Sequence, residues 1–226
     1  MHINSAAGIA PFTWTVVIPV KVLTQAKSRL ARLGGERRAG LALAMAEDTV
    51  TAVVACPEAA RVIVVTDDQV AGDALGALGA RVIPDPPAGG LNPDRLNPAL
   101  RHGAAFAREH WPRQGVAALF ADLPAVRPAE IAAALSAARQ WPAAFVADTA
   151  GDGTTLYAAR PGAGFQPSFG LASRARHAAS GAVELELDDI DGLRRDVDTP
   201  EDLQQAAVIG LGPHTADLLR CAPRGR

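Results

Sequence analysis

Short runs of β-branched and other apolar residues alternate along this chain with longer segments whose apolar residues recur at helical spacing. The strand-like runs are WTVVIPV (14–20), RVIVVTDD (61–68), ARVIPD (80–85) and GVAALFADLP (115–124). The helix-like segments cover 36–56, 70–78, 96–111 and 127–141. This β-α-β-α order predicts an α/β fold, with a mostly parallel central sheet and helices on both of its faces.

The order changes after residue 142, where we predict a hairpin. AAFVAD (143–148) and TTLYAA (154–159) flank TAGDG (149–153), which contains the strong turn signal Asp-Gly. We predict a short helix near 174–179, strands near Val183 and Arg194, and a helix over 200–209. We therefore expect a single domain over residues 14–212 with an antiparallel addition, a disordered N-terminus (1–13), and a C-terminal tail (213–226) with one short helix.

Composition and charge argue against several functions. Aromatic residues make up 4% of the 226, and the net charge is −2, so stacking on nucleic acid and attraction to polyanions or acidic membranes are both disfavoured. No apolar run approaches the roughly 20 residues that span a bilayer, and no basic segment marks a signal peptide. Cys56 and Cys221 lie far apart without metal-ligand spacing. These features predict a cytoplasmic protein that binds neither nucleic acid nor membranes.

The only two lysines of the chain, Lys21 and Lys27, lie in IPVKVLTQAKSRLA (18–31), directly after the first predicted strand. With Arg29 they bring three cationic side chains to one loop, at the edge where open α/β sheets bind ligands. Lysine supplies a compact ammonium that can follow a phosphate group, and an ordinary solvated loop is the alternative. No G-x-G-x-x-G follows the strand and no G-x-x-x-x-G-K-[ST] occurs, which disfavours nicotinamide dehydrogenases and P-loop enzymes.

Three aspartates lie at or near predicted strand ends. Asp122 lies at the end of an apolar strand, where a buried carboxylate requires a cationic partner. This partner could be Mg²⁺ that also binds phosphate oxygens. The alternative is a structural role in an ion pair or a helix cap. In RRDVDTPEDL (194–203), an extended backbone would place Asp196 and Asp198 on one face, about 6–7 Å apart. Capping by Thr199 explains the residues that follow it but neither of these two aspartates.

The segment FGLASRARH (169–177) and the hairpin turn supply candidates for anion binding. The N–H of Gly170 can approach a ligand closely, Ser173 can cap a helix whose N-terminus attracts anions, and Thr154 adds a hydroxyl. Taken singly, each residue is more simply an ordinary cap or turn residue. His102 and His177 have no partner at a recognisable spacing and receive no role.

The order of these motifs resembles a known family. VIPVKVLTQAKSRLA, FADLPAV, GDGTTL, FGLASRARH followed by SGAVEL, and RRDVDTPEDL together resemble the 2-phospho-L-lactate or phosphoenolpyruvate guanylyltransferases of coenzyme F-420 biosynthesis. The resemblance covers residues 16–211 and is specific in K-x5-K-x-R, F-G-x-x-S and D-V-D-T-P, whereas DLP is widespread in nucleotidyltransferases. The chain departs from the family at Pro19, where alanine is frequent, and in DRLN (94–97), where the family has DPLN.

This resemblance implies a three-layer, Rossmann-like nucleotidyltransferase fold, similar to that of the molybdenum-cofactor guanylyltransferases. It implies that Mg²⁺ binds to Asp122, Asp196 and Asp198, and that the phosphorylated acid binds to Thr154, Gly170 and Ser173. Together with the charge pattern, it predicts that GTP binds to Lys21, Lys27, Arg29 and Asn97. The catalytic residues are then Lys21, Lys27, Asp122 and Asp198.

The implied reaction transfers GMP from GTP to phosphoenolpyruvate and releases pyrophosphate. Phosphoenolpyruvate is favoured over 2-phospho-L-lactate or 3-phosphoglycerate because the Ala- and Arg-rich composition is typical of high-GC bacteria, whose family members resemble phosphoenolpyruvate users. The alternatives are a nucleotidyltransferase of another class, such as the molybdenum-cofactor type, or a non-catalytic nucleotide-binding module. Because the product would be labile, we also expect a transient contact with the next transferase of the pathway.

Overall fold

A computed structural model describes residues 12–25, 35–87 and 95–221. Its strands are β1 (Trp14–Pro19), β2 (Ala59–Val65), β3 (Arg81–Ile83), β4 (Gly115–Leu119), β5 (Ala143–Ala147), β6 (Thr154–Ala159) and β7 (Val183–Glu184). Its α-helices are α1 (Gly35–Val54), α2 (Gln69–Ala77), α3 (Leu96–His110), α4 (Pro128–Ala138), α5 (Ser173–Ala179), α6 (Asp191–Arg194), α7 (Pro200–Ile209) and α8 (Pro213–Cys221). Within these described residues, no helix has the length and apolar character needed to cross a membrane.

The strands form one sheet in the order β3-β2-β1-β4-β6-β5-β7. β1 pairs in parallel with β2 and β4, β2 with β3, and β5 with β7. β6 runs antiparallel to both of its neighbours, β4 and β5. This pairing confirms the predicted mostly parallel sheet with an antiparallel addition, including the hairpin formed by β5 and β6.

Alternating side chains of β1 contribute to hydrophobic cores on both faces of the sheet. Val16 and Ile18 belong to the core formed with α1, α2 and α4, whereas Val17 belongs to the core formed with α3. A Cβ at Gly103 of α3 would collide with Val17, so glycine at this position lets α3 pack closely on the sheet. The result is the predicted three-layer arrangement, and it fixes the start of α3 beside the end of β1.

The chain around Arg194 is helical, so the strand predicted there is wrong. Asp191–Arg194 form α6, and residues 195–198 continue without joining the sheet. The buried carboxylate of Glu130 in α4 accepts a hydrogen bond from the Gly192 N–H (2.9 Å), and the carbonyl of Arg194 accepts one from the Thr149 N–H (2.9 Å). Contacts with α4 and with the hairpin turn therefore replace a strand ladder in this segment.

The C-terminal helix α8 is attached to α1 by a buried carboxylate. Asp48 of α1 is 5% exposed, and its two oxygens accept hydrogen bonds from the N–H groups of His214 (2.9 Å) and Thr215 (2.9 Å). These N–H groups lie in the first turn of α8, where no intrahelical acceptor exists. A side chain from another helix thus provides the acceptors for the start of α8.

We expect Asp48→Ala to lower the free energy of unfolding by about 2–3 kcal/mol, because two N–H groups lose a charged acceptor. Urea denaturation measures this loss, and the rate of amide hydrogen exchange should increase most in α8. Asp73→Ala, which removes an exposed carboxylate from α2, is the matched control. Equal stability of the two variants would contradict the attachment.

Candidate active site

A cleft of about 270 Å³ lies at the edge of the sheet where β1, β2 and β4 end. Because these strands are parallel, the residues that follow them meet at one edge. Lys21 follows β1, Asp122 follows β4, and both line the cleft together with Asp196 and Asp198. The structure therefore brings together four of the predicted site residues, whereas Lys27 and Arg29 lie outside the described residues.

The buried side chain of Val197 explains how two aspartates reach this cleft. Val197 is 0% exposed, and its N–H donates a hydrogen bond to the carbonyl oxygen of Asp122 (3.0 Å). Side chains alternate in extended chain, so Asp196 and Asp198 are directed away from the core that holds Val197. Thr199 in turn caps α7 by accepting a hydrogen bond from the Asp202 N–H (3.2 Å), so the predicted cap coexists with the two cleft aspartates.

The acidic side chains of the cleft have the donor chemistry that Mg²⁺ prefers, since all of them offer carboxylate oxygens. In the described part of the chain, no three His, Cys, Asp or Glu side chains form a group that could hold a metal ion. Mg²⁺ in nucleotide enzymes is commonly bound by one or two carboxylates and completed by phosphate oxygens and water. The residues present fit a site of this kind, with the substrate as a ligand.

The loop that carries Lys21 is held on both sides. The Val20 N–H donates a hydrogen bond to the carbonyl of Val65 in β2 (3.0 Å), and the Leu23 N–H donates one to the carboxylate of Asp68 (2.9 Å). The second oxygen of Asp68 accepts from the Ala71 N–H (3.0 Å) and caps α2. Asp68 thus joins the lysine loop to α2, while the exposed Lys21 side chain lines the cleft.

Arg95 is a further cation of the cleft, and in the sequence it stands out only as a departure from the DPLN motif. Its guanidinium lies 3.5 Å from a carboxylate oxygen of Asp67, which follows β2, and 3.5 Å from one of Asp85, which follows β3. Burial raises the pKa of Asp85, and the charge of Arg95 partly offsets this effect. These contacts place the Arg95 guanidinium, at the start of α3, beside the carboxylates that follow β2 and β3.

The three predicted acid-binding residues are not among those that line the cleft: Gly170 and Ser173 lie at the start of α5, and Thr154 is the first residue of β6. Thr154 and Ser173 are 1% exposed, and the Ser173 N–H donates a hydrogen bond to the carbonyl of Gly170 (3.0 Å). Ser173 is the first residue of α5 and Ala172 is its cap, so the prediction that Ser173 caps this helix is wrong. The ring of Phe169 packs on that of Phe120, which lines the cleft, at a centroid distance of 5.0 Å.

Asn97 also contacts this segment. Its side-chain nitrogen donates a hydrogen bond to the carbonyl of Phe169 (3.0 Å), and its side-chain oxygen accepts one from the N–H of Phe169 (2.8 Å). The adjacent Leu96 lines the cleft. The amide of Asn97 therefore fixes the backbone beside the cleft, and its contact with the nucleotide stays a prediction.

His177 is the main polar residue of this region that the sequence left without a role. It is 0% exposed and packs among the rings of Phe145, Tyr157 and Phe169. Its Nε2 accepts a hydrogen bond from the Ser168 N–H (2.8 Å), and its Nδ1 lies 3.1 Å from the hydroxyl oxygen of Thr154. His177 thus connects β6 with the turn that precedes α5.

Burial, together with the charge of Arg176, lowers the pKa of His177 from 6.5 to about 4. Tyr157 is the other titratable group in contact with the ring, and burial raises its pKa, so it is neutral in this range. Below pH 6.5 the unfolded chain binds a proton that folded His177 does not, so acidification favours unfolding. We expect a loss of up to about 1.4 kcal/mol per pH unit between pH 6.5 and about 4.

Urea denaturation across this range tests the effect, with His177→Gln as the non-titrating variant. The stability difference between wild type and variant should shrink as the pH falls. A constant difference would show that His177 titrates alike in the folded and unfolded chains.

Sequence comparison finds close relatives over nearly the full chain. It is 56% identical over 214 residues to the phosphoenolpyruvate guanylyltransferase of Thermomonospora curvata, covering 95% of this chain and 92% of the relative. It is 57% identical over 204 residues to the phosphoenolpyruvate guanylyltransferase of Streptomyces coelicolor, with coverage of 90% and 94%.

Solved structures share the fold at low sequence identity. A nucleotidyl transferase from Methanothermobacter thermautotroptrophicus superposes with a TM-score of 0.60 at 19% identity, covering 93% of this chain and 99% of that one. A 4-diphosphocytidyl-2C-methyl-D-erythritol synthase from Anaerococcus prevotii gives a TM-score of 0.55 at 13% identity, with coverage of 92% and 97%. These likenesses confirm the predicted nucleotidyltransferase fold.

The profile of the family described as "Guanylyl transferase CofC like" matches residues 14–222, which includes every residue of the cleft. This match and the identity to the two relatives agree with the resemblance recognised in the sequence motifs. The chain belongs to the CofC-like guanylyl transferase family.

Proposed function

We propose that this protein transfers GMP from GTP to phosphoenolpyruvate and releases pyrophosphate, as a step of coenzyme F-420 biosynthesis. The observation that carries the proposal is the cleft, in which Lys21 and Asp122, which follow parallel strands, lie with Asp196 and Asp198 from the segment before α7. The names of the 56% and 57% identical relatives support phosphoenolpyruvate as the acceptor.

The cationic side chains bind the triphosphate in this proposal. Lys21, with Lys27 and Arg29 from the following segment, contacts the β- and γ-phosphates and stabilises the departing pyrophosphate. Asp122, Asp196 and Asp198 are the candidate carboxylates for Mg²⁺; one or two of them would hold the ion together with phosphate oxygens and water, and it would supply charge neutralisation of the phosphates. Thr154, Gly170 and Ser173 bind the acceptor acid beside the cleft.

A phosphate oxygen of phosphoenolpyruvate attacks the α-phosphorus of GTP, and the bond between this phosphorus and the bridging oxygen of the β-phosphate breaks. The attacking oxygen is already an anion at neutral pH, so no side chain has to remove a proton. The barrier comes from bringing two polyanions together in line. The residues of the cleft therefore act by positioning and by charge stabilisation.

The direct test is pyrophosphate release by the purified protein with Mg²⁺, GTP and one acid at a time. We expect the highest kcat/KM with phosphoenolpyruvate, compared with 2-phospho-L-lactate and 3-phosphoglycerate, and little release when CTP replaces GTP. Mass spectrometry should identify the phosphoenolpyruvate–GMP adduct. Nucleotide binding without pyrophosphate release from any acid would indicate a non-catalytic binding module instead.

We also propose a cytoplasmic location and a transient contact with the enzyme that uses the product. Cys56 and Cys221 are free thiols, which fits a reducing compartment. In the adduct, the phosphate of phosphoenolpyruvate and that of GMP form one diphosphate. Direct transfer of the adduct to the next enzyme would limit its hydrolysis. Co-elution with the next transferase only when both substrates are present would support this contact.

A further inference from the structure

We infer that His177 is a positioning residue for the acceptor acid: it orients the Thr154 hydroxyl as a hydrogen-bond donor and fixes the backbone turn at residues 168–170. This inference rests on the proposed function, in which Thr154 and Gly170 contact the acid. His177 itself is fully buried, and we assign it no direct contact with the acid.

The hydrogen bonds of His177 identify its tautomer. A backbone N–H can only donate, so the contact with Ser168 (2.8 Å) requires an unprotonated Nε2. A neutral imidazole then carries its proton on Nδ1, and the group in reach of that proton is the Thr154 oxygen, at 3.1 Å. The surrounding rings of Phe145, Tyr157 and Phe169 favour this neutral form.

This tautomer determines what Thr154 can do. Since its oxygen accepts the Nδ1 proton, the hydroxyl proton of Thr154 must be directed away from His177. An anionic acid is bound by hydrogen-bond donors, so a hydroxyl whose proton is kept away from His177 is available to donate to a carboxylate or phosphate. A threonine without this contact could still donate, but it would lose rotational freedom when the ligand binds.

The second contact of His177 acts on the turn. The Ser168 N–H is held by Nε2, and the next residue, Phe169, is held on its N–H and carbonyl by Asn97. Gly170 follows with φ of +111°, a conformation that residues with a side chain rarely adopt. Two buried polar side chains therefore fix the backbone immediately before the glycine whose N–H is proposed to meet the acid.

Two amide variants separate the contacts. The amide of Asn at position 177 takes the place of Nδ1 and can still donate to Thr154, whereas the amide of Gln reaches the place of Nε2 and can still accept from Ser168. We expect His177→Gln to raise the KM for phosphoenolpyruvate roughly tenfold, as expected for loss of one hydrogen bond to a charged ligand, with the KM for GTP and kcat unchanged. His177→Asn should raise it less, because the Thr154 contact remains.

Thr154→Val keeps the shape of the side chain and should give the same increase by itself, which provides a test if His177→Gln folds poorly. In the Thr154→Val background, His177→Gln should add little, since both changes remove one interaction. His110→Gln, at the exposed end of α3, is the control. Long-range ¹⁵N–¹H spectra should show the Nδ1-protonated tautomer in the wild-type protein.

An unchanged KM for phosphoenolpyruvate in Thr154→Val or His177→Gln would overturn the inference, as would equal increases in both substrate KM values or an Nε2-protonated spectrum. If the wild-type protein itself releases no pyrophosphate with phosphoenolpyruvate, the proposed function fails first. The wild-type reaction therefore distinguishes the two failures.

Discussion

Asp122→Asn should reduce kcat for GMP transfer by about 1,000-fold or more, equivalent to about 4 kcal/mol of transition-state stabilisation. The substitution keeps the size and shape of the side chain and removes its charge. The hydrogen bond that ties Val197 to this position uses the carbonyl oxygen of the Asp122 backbone, which asparagine retains. The variant should therefore fold normally and bind the divalent ion poorly.

Steady-state kinetics at saturating GTP and Mg²⁺ measure the loss, and circular dichroism and thermal melting test the fold. Asp198→Asn should reduce kcat similarly. It should also fold normally, because the backbone N–H of residue 198, which donates a hydrogen bond to the carboxylate of Asp202, is retained. Asp188→Asn removes an exposed carboxylate outside the cleft and serves as the control. A near-normal rate in Asp122→Asn would remove the metal role, whatever the effect of Asp198→Asn.

The fold could be predicted because its signals are local. Runs such as 14–20 and 115–124 are apolar on both faces, and parallel strands covered by helices require this. The strand predicted near Arg194 was wrong because residues distant in sequence determine the structure there. The Glu130 carboxylate accepts a hydrogen bond from the Gly192 N–H, and the Thr149 N–H donates one to the Arg194 carbonyl. Apolar periodicity carries no information about such contacts.

The same distinction applies to the site. Lys21 and Asp122 follow strands, so their meeting in one cleft follows from the topology of a parallel sheet. The roles of Asp68 and His177 could not be predicted because their hydrogen-bond partners lie at sequence separations that match no motif. Asp68 contacts Leu23, 45 positions away, and His177 contacts Thr154 and Ser168, 23 and 9 positions away. Their roles depend on hydrogen bonds across the fold rather than on a motif.

Lys21→Gln should raise the KM for GTP roughly 30- to 160-fold, because a charge-assisted contact with phosphate contributes about 2–3 kcal/mol. The Lys21 side chain is exposed, and the hydrogen bonds that hold its loop come from the backbone of Val20 and Leu23, so the fold should not change. Lys21→Arg keeps the charge but replaces a compact ammonium with a planar fork, and should restore affinity only in part.

Salt dependence distinguishes a phosphate contact from a loop distortion. If Lys21 neutralises phosphate charge, GTP affinity in Lys21→Gln should decrease less steeply with added salt than in the wild type. Arg113→Gln changes the net charge by the same amount but lies before β4, at the opposite edge of the sheet, and should match the wild type. An unchanged KM in Lys21→Gln would mean that this cation does not bind the nucleotide, and the cleft would then have to bind the triphosphate through Arg95 and the segment after Gln25.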